Sequence, residues 1–91
     1  MKNLYGDALI EEAEKLTTKT QFVEFVKLLV QNMANHPDEW HNNTLEQYIF
    51  ALSSFLENID GYYENIGLET DLEKPNWRIF ADILLAARVY E

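Results

Sequence analysis

Both histidines of the chain lie in one polar segment, HPDEWHNNTLEQY, at residues 36–48. His36 and His41 are five positions apart, and Asp38 and Glu39 lie between them. Imidazole and carboxylate groups bind zinc and similar ions, so these four residues are a candidate metal-binding or small-molecule site. Strong metal signatures, however, place two histidines on one helical face, as in His-Glu-x-x-His. Here a proline puts a turn between the histidines, so we predict a solvent-exposed turn with no metal and no cofactor.

Catalytic chemistry has little support in the sequence. The absence of cysteine excludes thiolate nucleophiles, thiolate metal sites and disulfides. No Ser-x-x-Lys, Gly-x-Ser-x-Gly or Gly-rich phosphate loop occurs. Two carboxylates catalyse only where their environments separate their pKa values, and most of the 16 acids fall on polar helix faces. Asp60 and Glu64, which flank a double tyrosine, are the candidates for an exception. We predict that the protein is not an enzyme.

The segment DGYYEN at residues 60–65 invites comparison with a calcium loop. An EF-hand that began at Asp60 would need an oxygen ligand at its third position, where this chain has Tyr62, and a glutamate at its twelfth, where it has Asp71. We therefore predict a structural turn. In it Asp60 accepts backbone N–H groups, Gly61 takes a positive φ, and Asn65 anchors the loop that follows.

Length and charge limit the classes of protein that remain. A chain of 91 residues is one domain, here residues 1–91. The formal charge of −9 disfavours nucleic acid and anionic membranes as partners, and it allows a basic protein. The longest apolar run, IFADILLAA, is too short to span a bilayer, and the N-terminal residues resemble no signal peptide. We expect a soluble, cytoplasmic protein.

The apolar residues recur at helical spacing in four segments, at about residues 4–16, 19–35, 44–60 and 77–90. Thr18 with Gln21 predicts a capping box for the second helix, and Asn43 or Thr44 caps the third. Asn76 is the predicted cap of the fourth, and residues 61–75 are predicted as a connecting loop. Four amphipathic helices with short connections predict an all-α bundle or array.

The predicted apolar faces are broad. The second helix carries Phe22, Phe25, Val26, Leu29, Val30 and Met33; the third carries Leu45, Tyr48, Ile49, Leu52, Phe55, Leu56 and Ile59; and the last carries Trp77, Phe80, Ala81, Leu84, Ala87 and Arg88.

Five short motifs at about residues 18–91 resemble the pattern of a small, mostly bacterial domain family of unknown function. They are FVEFV at 22–26, PDEWHN at 37–42, NTLEQY at 43–48, DGYYEN at 60–65 and WRIFADILLAARVYE at 77–91. The resemblance implies no activity, substrate or cofactor. It does single out candidate interaction or loop-anchoring residues, namely Trp40, Asn42, Asp60, Tyr62, Tyr63, Asn65 and Trp77.

We hypothesise that four of these aromatic residues, Trp40, Tyr62, Tyr63 and Trp77, converge at one end of the bundle as a surface rimmed by acids. The expected function is a non-enzymatic protein–protein interaction module. One form of it is an immunity-type protein that masks a basic toxin by charge complementarity. The alternatives are a small-molecule or metal-binding domain, which would use the histidine segment, and a structural homodimer.

Overall fold

The structure, a computed structural model, describes residues 6–69 and 71–90. These residues form five α-helices: α1 (Gly6–Glu14), α2 (Lys19–Asn35), α3 (Leu45–Glu57), α4 (Ile59–Asn65) and α5 (Trp77–Ala86). A 3-10 turn at Pro37–Glu39 follows α2, and no strand occurs in the described ranges. The all-α prediction is confirmed, but the helices number five rather than four. The predicted first turn of the first helix lies partly outside the described residues.

Helix α5 is the centre of the molecule, because α1, α2 and α3 all pack against it. One part of the core lies between α1, α2 and α5 and contains Leu9, Phe25 and Leu85, all buried. The other part lies between α3, α4 and α5, where Phe55, Ile59, Tyr63 and Ile79 pack together. The most apolar segment of the sequence thus becomes the helix with apolar neighbours on several sides.

The predicted caps of three helices are present. Thr18 Oγ1 accepts from the Gln21 backbone N–H at 3.1 Å, and Gln21 Oε1 accepts from the Thr18 N–H at 3.2 Å. Thr44 Oγ1 caps α3 by accepting from the Gln47 N–H at 3.1 Å. Asn76 Oδ1 accepts from the Ile79 N–H at 3.0 Å and begins α5. Each cap satisfies a backbone donor that the helix itself leaves unpaired, which contributes about 1 kcal/mol.

The prediction of a turn at residues 60–65 is wrong. Helix α3 ends at Glu57, three residues before the predicted limit at residue 60, and α4 covers the whole DGYYEN segment. Ile59 and Tyr63 lie four residues apart, so one face of α4 buries both against α5. The positive φ falls at Gly67 (φ 70°), beyond the end of α4, and not at Gly61. The burial of two large side chains therefore outweighs the helix-breaking tendency of the glycine.

The buried faces of the helices differ from the predicted ones. On α2 the buried residues are Phe25, Leu29 and Asn32, whereas Met33 is half exposed. On α3 the buried residues are Ala51 and Phe55 alone. Helix α5 ends at Ala86 rather than at residue 90, and the chain then turns. Several residues of the predicted apolar stripes are consequently left on the surface.

No helix in the described ranges is long and apolar enough to cross a membrane.

Candidate functional site

Asn42 ties the segment before α3 to the end of α5. Its side-chain Nδ2 donates to the carbonyl oxygens of Ala87 and Tyr90, each at 2.9 Å. Its backbone N–H donates to the Arg88 carbonyl, also at 2.9 Å. The last carbonyls of a helix have no partner within the helix, so these three bonds stabilise the C-terminal turn after α5. Asn42 was predicted to bond loop backbone, and its actual partners lie more than forty residues away in the sequence.

A buried polar network lies just beneath this turn. The Asn32 side chain is inaccessible to solvent, and its Oδ1 accepts from Trp40 Nε1 at 2.7 Å and from Arg88 Nη1 at 3.0 Å. Its Nδ2 donates to Glu39 Oε1 at 3.1 Å, and Arg88 Nη1 also lies 3.4 Å from that oxygen. Burial lowers the pKa of Arg88, and the neighbouring Glu39 carboxylate opposes the change. A guanidinium stays charged at neutral pH, so the Arg88–Glu39 ion pair is retained.

Two aromatic rings are positioned by this network and by α5. Trp40 stacks on Tyr48 with ring centroids 5.8 Å apart. The guanidinium carbon of Arg88, Cζ, lies 5.6 Å from the centroid of the Trp40 ring. The Tyr48 hydroxyl donates to the Leu84 carbonyl at 2.7 Å. Burial raises the pKa of Tyr48, so the hydroxyl stays protonated and remains a donor at neutral pH. Both rings are therefore held in fixed orientations.

Trp40 and Tyr48 form part of an apolar groove between α2 and α3. The two helices pack against α5 and make little contact with each other, so a space of about 570 Å³ opens between them. We call this space the α2–α3 groove. Its lining residues are Val26, Leu29, Val30, Met33, Pro37, Trp40, Asn42, Asn43, Thr44, Leu45, Tyr48 and Leu84. None of them carries a formal charge.

Large apolar side chains stand exposed at the groove and further along α3. The exposed fractions are 57% for Val30, 50% for Met33, 78% for Leu45, 53% for Ile49 and 73% for Phe50. Single exposed apolar residues are common on soluble proteins, but several on neighbouring turns of two helices are typical of an interaction surface.

The charge of this part of the chain has one sign. Between residues 28 and 73 the sequence contains nine acids and no lysine or arginine. This range includes α3, α4, the 3-10 turn and most of the α2–α3 groove. The basic residues nearest to the range are Lys27, which pairs with Glu24 at 3.5 Å, and Lys74. The surface that residues 28–73 form therefore presents apolar groups in a negative electrostatic field.

A second polar cluster lies between α4 and α5. The Tyr63 hydroxyl donates to Asp82 Oδ2 at 2.7 Å, and Arg78 Nε donates to the same oxygen at 3.3 Å. Burial raises the pKa of the Asp82 carboxyl, and it does so against the opposing effects of the Tyr63 bond and of Arg78. Burial also raises the pKa of Tyr63 well above its usual value, with the Asp82 bond adding to the rise. This cluster stabilises the docking of α4 and holds few groups that solvent can reach.

The predicted convergence of aromatic residues at one end of the bundle is wrong. Trp77 stacks on Phe22, near the start of α2, with ring centroids 5.3 Å apart. Trp40 instead donates a hydrogen bond to Asn32, near the end of α2. Ten residues of α-helix separate those two positions, a rise of about 15 Å. The tryptophans thus contact opposite ends of α2. Only Trp40 and Asn42 of the predicted site residues line the α2–α3 groove.

The other predicted residues lie around α4 and the start of α5. Tyr62 is half-buried and packs edge-on against Phe55, and Tyr63 is buried against Asp82. Asp60 and Asn65 are exposed on α4. Whether any of these residues contacts a partner stays a prediction.

The histidine segment does not assemble as a ligand set. Glu39 points toward Asn32 and Arg88, while Asp38 and His41 are exposed. Within residues 6–69 and 71–90, no group of three or more histidine, aspartate or glutamate side chains is arranged to hold a metal ion.

Three polar residues central to the structure were not among the predicted site residues: Asn32, Asp82 and Arg88. Each had a signal in the sequence. Asp82 interrupts the longest apolar run, and Arg88 falls on the predicted apolar face of the last helix. Asn32 lies seven residues after Phe25 and three after Leu29, on the same face of the helix. A polar residue on an apolar stripe indicates a buried group that needs partners.

Fold and surface together define a small all-α protein with an uncharged apolar groove in an acidic surface. The chain belongs to DUF7660, a family of unknown function, whose sequence profile matches residues 18–91. The predicted resemblance to a small family of unknown function is confirmed. No curated protein and no solved structure matches the chain.

Proposed function

We propose that the chain is a non-enzymatic domain that binds a basic protein. The exposure of Val30, Met33 and Leu45 at the α2–α3 groove, and of Ile49 and Phe50 further along α3, carries the proposal. Leaving five such side chains in water forgoes the free energy that their burial would release. A protein partner that covers them recovers that free energy, which is the usual source of affinity at protein interfaces.

Charge supports a basic partner. The chain carries a formal charge of −9, and the range that contains the exposed apolar residues of α3 has no lysine or arginine. A partner with lysines or arginines around an apolar centre would be attracted from a distance and oriented on contact. An immunity-type protein that masks a basic toxin is one form of this function.

The polar clusters support a binding role over catalysis. Asp82, whose pKa is raised by burial, lies in structural hydrogen bonds with Tyr63 and Arg78. Arg88 is likewise held by Asn32 and Glu39. Such groups stabilise helix packing, and Asp82 and Arg88 are each only 6% exposed, so a substrate in solvent has little access to them.

Site-specific photocrosslinking followed by direct binding tests the proposal. The photoreactive phenylalanine analogue p-benzoylphenylalanine replaces Phe50, which is 73% exposed, and the chain is exposed to lysate of its native cells. The same analogue at Ile10, which is 43% exposed on α1, is the control. We expect a protein crosslinked at position 50 and not at position 10.

The crosslinked protein is then purified and titrated by calorimetry. We expect saturable binding that weakens with salt and falls about tenfold or more in Phe50→Gln, while Ile10→Gln binds as the wild type does. A partner whose affinity is equal for both variants contradicts the proposed surface. A chain that crosslinks only to itself supports the homodimer instead.

A further inference from the structure

We infer that the α2–α3 groove is the binding site for a basic amphipathic helix of the partner, an inference that rests on the proposed function. Helices α2 and α3 both pack on α5, and the groove between them has Leu84 of α5 among its lining residues. Three helices therefore form a trough. A helix laid in that trough completes a four-helix arrangement around the apolar lining.

The apolar wall contributed by α2 has the spacing that a helix partner requires. Val26, Val30 and Met33 recur at intervals of four and three residues and all line the groove. Leu45 and Tyr48, three residues apart, form the facing wall. Ridges at these spacings interdigitate with the same spacings on an incoming helix.

A helix also suits the uncharged lining better than an extended peptide does. A helix satisfies its backbone hydrogen bonds internally, so it can bury an apolar face without leaving peptide groups unpaired. An extended peptide needs an open sheet edge or polar partners along its length. The described residues contain no strand, and the lining of the groove is mostly apolar.

The charges around the groove make a basic helix the best match. Two exposed acids are next in the sequence to residues that line the groove: Asp38 follows Pro37, and Glu46 follows Leu45. Lysine or arginine side chains on the flanks of a bound helix can reach these carboxylates while its apolar face fills the trough. A second copy of this chain fits less well, because a two-fold interface places a patch against itself and would oppose acid to acid.

A synthetic peptide is the probe for this site. It is an amphipathic helix of about 18 leucine and lysine residues, which spans roughly 27 Å. That length is close to that of α2, the 17-residue helix that forms one wall of the groove. The reporter is Trp77→Phe, which leaves Trp40 in the groove as the single tryptophan. We expect a saturable blue shift of Trp40 fluorescence, and none with a peptide in which glutamate replaces lysine.

Matched neutral variants locate the peptide. Met33→Gln/Leu45→Gln removes apolar groups from the groove, and we expect it to weaken binding about tenfold or more. Ile10→Gln/Ile66→Gln removes two exposed apolar groups, 43% and 48% exposed, that do not line the groove. We expect that control to bind the peptide as the reporter chain does. All variants carry the Trp77→Phe change, and circular dichroism checks that each is folded.

Four results would overturn the groove assignment. The first is the same peptide affinity in both double variants, and the second is no saturable binding of the basic peptide. The third is a dimer, detected by sedimentation, that only Met33→Gln/Leu45→Gln dissociates. A crosslinked partner whose affinity falls with Phe50→Gln but not with the groove variant overturns the groove and leaves the proposed function intact. Failure to find any protein partner at Phe50 overturns the proposed function itself.

Discussion

Arg88 and Asn32 meet in the interior across 56 residues of sequence, with Arg88 Nη1 donating to Asn32 Oδ1 at 3.0 Å. The same oxygen accepts from Trp40, so one buried amide joins the end of α2, the 3-10 turn and the turn after α5. Burying a guanidinium is costly unless it is paired. The main role of the network is therefore to hold Trp40 in position at the groove.

Replacing Asn32 with leucine is expected to destabilise the fold by about 2–4 kcal/mol. Leucine is similar in size and more apolar, so burial alone would favour it. The change, however, leaves the Trp40 N–H without its acceptor and deprives Arg88 and Glu39 of a shared partner. Urea unfolding followed by circular dichroism measures the loss as a lower midpoint with an unchanged slope.

Asn35→Leu is the matched control for Asn32→Leu. Asn35 ends the same helix but is exposed, so its replacement is expected to change stability by less than about 0.5 kcal/mol. Equal or higher stability of Asn32→Leu would show that the buried network costs more to form than it contributes.

The Tyr63 hydroxyl is expected to contribute to stability where that of Tyr62 does not. Tyr63→Phe removes a 2.7 Å bond to the buried Asp82 carboxylate, and bonds to charged groups contribute about 1.5–3 kcal/mol. The raised pKa of Tyr63 keeps this donor protonated through the neutral range. Tyr62→Phe, at the adjacent half-buried position, is expected to change stability by less than about 0.5 kcal/mol. Thermal unfolding of both variants at pH 7 compares them, and equal losses would contradict the assignment.

Asp82 is expected to make the protein less stable as pH rises. Burial raises the pKa of its carboxyl in the native state above the ordinary 3.8, so the native state binds this proton more tightly than the unfolded chain does. The stabilisation is complete below pH 3.8 and is lost as pH rises through the native pKa. Asp82→Asn removes this titration.

A pH series of urea unfolding, from about pH 4 to 7, tests the expectation for Asp82. Wild type should lose stability relative to Asp82→Asn as pH increases, until the difference reaches a plateau. Using the difference between the two proteins cancels the titration of the other acids. A wild type that gains relative stability over this range would mean that Arg78 and Tyr63 outweigh burial and hold the pKa below its ordinary value.

Local features were predictable from the sequence, and long-range ones were not. The Thr18 and Asn76 caps involve residues three positions apart, so their geometry follows from the sequence alone. Whether Asn32 or Met33 lies on the buried face of α2 depends on the contact of Asn32 with Arg88, and only folding brings these two residues together. Periodicity likewise predicted an apolar stripe on α3 that includes Leu45 and Ile49. It could not show that no helix in the described structure covers them.

The two glycines around α4 give opposite predictions. Gly61 lies inside α4, and a methyl group at its Cα would have nothing within 4 Å, so Gly61→Ala is expected to stabilise the fold by about 0.5–1 kcal/mol. Gly67 has φ 70°, a conformation that alanine adopts with strain, so Gly67→Ala is expected to destabilise by about 1–2 kcal/mol. Urea unfolding of the two single variants measures both signs. If DGYYEN were instead a turn with Gly61 at positive φ, Gly61→Ala would destabilise the protein, and helix α4 as described would be wrong.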